Sequence, residues 1–249
     1  MLYVRMLVRE HVRLWRPLIM TFGFAASVAA GLFLTWFATD MDLGDLTRDP
    51  LSVAELRFIQ IDQVRAALGG RVQHPEAAPP LAAPAMEAFD AIDLLVQPYH
   101  GLVSNLGVLL WTTAMSVALF TAALVRRRQP AEAAFFTAGG VLSLLLMIDD
   151  FFLVHERVLP IYFGLDEKVL FVLYGLLLLA WIALWHRRIF ASDWLLLGYG
   201  LGFFALSLGV DIVPVNLPQI HFFEDGFKFT GICGWTAWHL RTASQALQR

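Results

Sequence analysis

Apolar residues along this chain come in runs too long for strands and too continuous for the half-buried helices of a soluble domain. Three runs are clean: 17–38, 101–125 and 169–185. Three more, 133–153, 194–213 and 222–240, are interrupted by polar residues. A helix rises about 1.5 Å per residue, so about 20 apolar residues cover the roughly 30 Å hydrocarbon core of a bilayer. The pattern therefore predicts an all-α fold, a polytopic membrane bundle of six transmembrane helices. Span one covers 17–38, and residues 101–249 form a five-helix membrane domain.

Two segments break this rhythm. Before the first run, Val4, Leu7, Val8, Val12 and Trp15 alternate with Arg5, Arg9, Arg13 and Arg16. Residues 1–16 thus read as a cytoplasmic or interfacial segment resting on lipid heads. The longest connection, 39–100, carries Ser52 and Glu55 at capping-box spacing, then Gly69 and Gly70. Pro75, Pro79, Pro80 and Pro84 make a stiff link, and Pro98 ends a second helical stretch from 84 to 97. A short extracytoplasmic helical hairpin is expected here.

Basic residues set the orientation. Arg5, Arg9, Arg13, Arg16, Arg126, Arg127, Arg128, Arg187, Arg188, Arg241 and Arg249 all fall on one side of the predicted spans. Only three acids, Glu10, Glu132 and Asp193, share that side. The positive-inside rule places it in the cytoplasm, with both termini inside. The first apolar run is longer than the 7–15 residues of a signal-peptide core and reads as a retained anchor. Short Arg-rich loops suit a bacterial cytoplasmic (inner) membrane.

Composition agrees. Hydrophobic residues make up 58% and charged residues 16%, against about 45–50% and about 25% in soluble domains. A net charge of −3 gives no reason to expect a nucleic-acid partner. The single Cys233 excludes an internal disulfide and any metal site built from several cysteines. The partners expected are the lipid bilayer and other membrane proteins.

The candidate chemistry gathers at the outer span ends. Span three closes on Asp149, Asp150, His155 and Glu156, span five on Asp211, and span six opens with His221, Glu224, Asp225 and Lys228. At about 100° per residue the last four form one stripe, which continues through Trp235 to His239. Such a stripe should face protein or water, since a lipid-facing charge costs at least ~2.5 kcal/mol. Span three is less regular. Asp149 and Glu156 share a face, whereas Asp150 and His155 point about 120° to either side. A continuous helix cannot aim all four at one point, so either the helix loosens or only some share a site.

Imidazole and carboxylate are ordinary ligands for zinc, iron or manganese. The leading expectation is a divalent-metal site from Asp150, His155, Asp211, His221, Glu224 and Asp225. Glu156 and Asp149 would serve as general bases toward a metal-activated water attacking a lipid-like substrate. No compact motif such as H-E-x-x-H backs this. Two alternatives stand beside it: a non-enzymatic accessory or scaffold subunit locked by an ion-pair network, and a proton or cation path from Glu224 to His239. Glycines 198, 200, 202 and 209 in span five and 226, 231 and 234 in span six suggest close packing of those two helices.

Overall fold

In a computed structural model, residues 2–39, 46–47, 101–212 and 220–248 are described, apart from the side chains of residues 2–7, 9, 211, 212 and 221. The expected hairpin within 39–100 lies outside these residues except at Thr39, Leu46 and Thr47. All regular structure among the described residues is helical. The long helices are α1 (Leu2–Ala38), α2 (Leu102–Val125), α3 (Pro130–Phe152), α4 (Glu167–Phe190), α5 (Trp194–Ile212) and α6 (Ile220–Leu247). Between α3 and α4 runs a wide-turned π segment, Val154–Phe163.

Among the described residues, four stretches are long and apolar enough to cross a membrane: Glu10–Ala38, Leu102–Val125, Pro130–Phe152 and Glu167–Phe190. The apolar helix Trp194–Val210 is shorter. The N-terminal basic segment and the first run join into the single helix α1, which carries Pro17 inside it. Apolar residues cover the outside as well as the centre. Ile19, Met20, Phe24, Leu124, Val172, Leu179 and Leu184 are exposed. A surface of this kind is compatible with contact to a lipid bilayer.

The core is aromatic. Phe135 packs against Trp181, Trp185 and Trp238 with ring centroids 5.6–6.0 Å apart. Trp111 stacks on Phe204 and meets Trp235 edge-on. Indoles find polar partners inside: Trp235 donates to Ser143 Oγ at 2.9 Å, and Trp238 donates to Ser192 Oγ at 2.9 Å. Helices α5 and α6 cross tightly. A Cβ on Gly234 would stand 2.8 Å from Gly200 Cα, and one on Gly200 would meet Gly231 O at 3.1 Å. Glycine is required there because backbone meets backbone.

One end of the bundle is closed by arginines. Asp193, between α4 and α5, is almost fully buried and accepts hydrogen bonds from Arg13 on α1 at 2.7 Å and from Arg241 on α6 at 2.5 Å. Gln245 adds a third at 3.1 Å. Arg188 at the end of α4 pairs with Glu132 at the start of α3. This basic end is opposite the end that carries Asp149 and Asp150.

Candidate functional site: a histidine–carboxylate cluster at the acidic end

The site is made by the way α3 stops. Its last turn places Asp149 and Asp150 inside the bundle, both buried. Leu153 then takes a left-handed conformation (φ 51), the one non-glycine residue to do so among the described residues. Its backbone N–H returns to Asp149 O and ends the helix. Left-handed backbone is unfavourable for leucine and persists only where the surroundings enforce it. The chain continues in wide turns, with Val158 N–H reaching Leu153 O at 3.2 Å, until Gly164 (φ 63) releases it. The break folds His155 back over the end of α3.

His155 makes three contacts within this turn. Its backbone N–H donates to Asp149 Oδ1 at 3.0 Å. Its ring Nδ1 lies 2.6 Å from Asp149 Oδ2. Because a carboxylate only accepts, Nδ1 carries a proton, and Nε2 faces the other way. There Nε2 stands 3.4 Å from Glu156 Oε1. Phe171 on α4 covers the ring at 5.1 Å, and Tyr174 on the same helix faces Asp149. Burial opposes a charge on His155, but the hydrogen bonds to Asp149 and Glu156 outweigh it and lift its pKa to about 9. Glu156 is held below the usual carboxylate range, first by its contact with His155.

Asp150 looks in another direction. Its Oδ2 accepts from Trp111 Nε1 on α2 at 3.1 Å, and its Oδ1 pairs with Lys228 on α6. The two adjacent acids are therefore divided. Asp149 belongs to the π segment, and Asp150 ties α3 to α2 and α6. Charge couples the two halves, since Lys228 lies close enough to act on both His155 and Glu156, and Asp225 acts on Lys228.

The structure brings Asp149, His155 and Glu156 together, with Asp150 and Lys228 alongside. Glu224 and Asp225 lie on the same turn of α6, half-buried. Asp211 is placed in the last turn of α5 and His221 in the first turn of α6, but their side chains lie outside the described residues. Among the described residues, no group of three or more His, Cys, Asp or Glu converges as a ligand set. Sequence reasoning misses Trp111 and Tyr174, because aromatics within apolar runs read as core or belt residues. His239, the far end of the expected polar stripe, is buried near the basic end, where its Nδ1 donates to Trp235 O at 3.1 Å.

A family model described as a domain of unknown function, DUF8692, matches residues 61–242. The chain belongs to this family. The match takes in α2 through α5 and most of α6, so every residue of the cluster lies within the DUF8692 region. No curated protein and no solved structure matches the chain.

Proposed function

We propose that this DUF8692 protein crosses the membrane six times with its arginine-rich end in the cytoplasm. In this reading the acidic end faces the periplasm of a bacterial inner membrane and binds a divalent cation through His155 and Glu156. The carrying observation is the arrangement around the imidazole. Asp149 accepts the Nδ1–H, so a bound cation would displace only the proton between Nε2 and the glutamate oxygen 3.4 Å away and take both as ligands. A metal-ligating histidine commonly gives its other N–H to a carboxylate in this way. Two ligands about 2.1 Å from a tetrahedral ion stand about 3.4 Å apart.

Formal charge points the same way. With His155 neutral, Asp149, Asp150, Glu156 and Asp225 oppose Lys228 and Arg157, which leaves −2 in the cluster. One divalent ion neutralises this, whereas a proton on His155 only halves it. Zinc, iron and manganese all suit these donors. Two further donors would complete the shell, and Asp211 and His221 are the sequence's candidates for them. A bound ion with an open position would supply activated water, with Glu156 or Asp149 as base, for hydrolysis. Calorimetric titration of metal-free protein in nanodiscs with Zn²⁺ or Mn²⁺ tests this. Wild type should bind near one equivalent, and His155→Ala and Glu156→Ala should each lose it. Equal heats in all three proteins would refute the assignment.

A second reading rests on a separate observation. Both oxygens of Asp149 and both of Asp150 already have partners within the chain. On that basis the cluster is a metal-free lock that fixes α2, α3, α6 and the π segment in an accessory subunit of a larger complex. Glu156→Ala separates the two, because a half-exposed carboxylate contributes little to a lock but is indispensable as a ligand. Proton or cation conduction ranks third. Between Lys228 and His239, Thr230 bonds Gly226 O, Thr236 bonds Leu110 O, Trp235 bonds Ser143 and Trp238 bonds Ser192.

A further inference from the structure

We infer that the π segment Val154–Phe163 is embedded in the lipid leaflet at the acidic end. It would thereby open the Glu156 side of the cluster to amphiphiles dissolved in that leaflet, rather than to water-soluble substrates. The inference rests on the cluster being the working site and names the class of molecule that reaches it.

Position comes first. The segment joins α3 and α4, which are 23 and 24 residues long and apolar between their charged ends. At about 1.5 Å per residue each helix is about 35 Å long, slightly more than the roughly 30 Å core. Their joined ends, Phe152 and Glu167, must then sit at one bilayer interface, with the π segment between them. Aromatic side chains concentrate at that depth.

Side-chain placement comes second. Only His155 is buried in the segment. Ile161, Tyr162 and Phe163 are exposed, Tyr162 by 78%, and so are Phe151 and Phe152 at the end of α3. In water this would be a costly apolar patch, whereas in the leaflet these are the residues that bind. The segment's polar residues sit at its start: His155, Glu156 and Arg157. An amphiphile whose chains lie along Phe151, Phe152 and the Ile161–Phe163 tip would bring its polar head to Glu156. That carboxylate is more accessible than Asp149, the other acid against His155, with its side chain 38% exposed. The buried Asp149 and Asp150 would line the inner wall.

Site-directed spin labelling tests this without reference to metal. In a Cys233→Ala background, nitroxides are attached at Phe152→Cys, Glu156→Cys, Tyr162→Cys and Phe163→Cys. The proteins are reconstituted in phosphatidylcholine nanodiscs. Labels at Val172→Cys on exposed α4 and Gln248→Cys at the basic end calibrate lipid and water. Collision with oxygen reports lipid, and collision with a water-soluble nickel chelate reports water. Labels 152, 162 and 163 should be oxygen-accessible and nickel-shielded like 172, with 156 between 172 and 248. Nickel accessibility at 162 and 163 equal to that at 248 would overturn the inference. Shielding from both reagents would overturn it too, because the tip would then be covered by protein. Loss of the metal assignment leaves the labels' behaviour unchanged, so the two proposals fail separately.

Discussion

Asp150 and Lys228 show how much one residue's contacts decide. The ammonium of Lys228 reaches a buried carboxylate that already accepts the Trp111 indole N–H. Removing one partner of such a pair leaves an uncompensated charge, which costs about 3–5 kcal/mol when fully buried. The Lys228 side chain is about one-third exposed, so Asp150→Asn should cost on the order of 2–3 kcal/mol. Thermal unfolding in detergent measures this. The double variant Asp150→Asn/Lys228→Met should recover a large part of the loss, since neither charge then remains, and strictly additive losses would contradict the pairing. Trp111→Phe removes only a neutral donor and should cost about 1–2 kcal/mol. The roles of these residues are only half legible in the sequence. Adjacent acids inside an apolar run announce that partners must exist. Lys228 is foreseeable from its stripe on span six, but nothing in the pattern distinguishes Trp111 from any other core indole.

Helix positions follow from the sequence because apolar runs of bilayer length have few other solutions. Their ends do not. A run defined by hydropathy stops at the first charges, whereas backbone hydrogen bonding continues past them. Helix α4 therefore extends from 169–185 to Glu167–Phe190, and α6 from 222–240 to Ile220–Leu247. The π segment is the hardest to see. The conflict between the directions of Asp149, Asp150, His155 and Glu156 signals an irregularity, but a leucine in left-handed backbone carries no compositional mark. The glycines teach a similar lesson. All seven in spans five and six read as contact positions, yet only Gly200, Gly231 and Gly234 meet a neighbouring helix, and Gly198, Gly202, Gly209 and Gly226 have open space around a built Cβ. Gly234→Ala must displace the Gly200 backbone and should cost about 1–3 kcal/mol. Gly202→Ala should be neutral or slightly stabilising. Paired melting curves check both, and equal effects would contradict the crossing described here.

Across the whole molecule the two ends are built differently. The basic end is held by Asp193, which gathers Arg13, Arg241 and Gln245 from two helices far apart in sequence. Asp193→Ala should cost about 1.5–3 kcal/mol, the worth of a charged hydrogen bond lost in a buried place, and should leave divalent-metal binding unchanged. A shift in metal affinity would show that the two ends are coupled. The acidic end combines unlike charges with a broken helix. Its orientation can be checked with reporter fusions after Phe163 and after Gln248, which should report periplasm and cytoplasm respectively.

The most direct measurement is elemental analysis by mass spectrometry of protein purified gently without chelator, alongside folded His155→Ala. Close to one equivalent of zinc, iron or manganese in the wild type and a trace in the variant is the predicted result. Metal absent from both, or equal in both, would contradict the His155–Glu156 site and leave the ion-pair lock as the reading of the cluster.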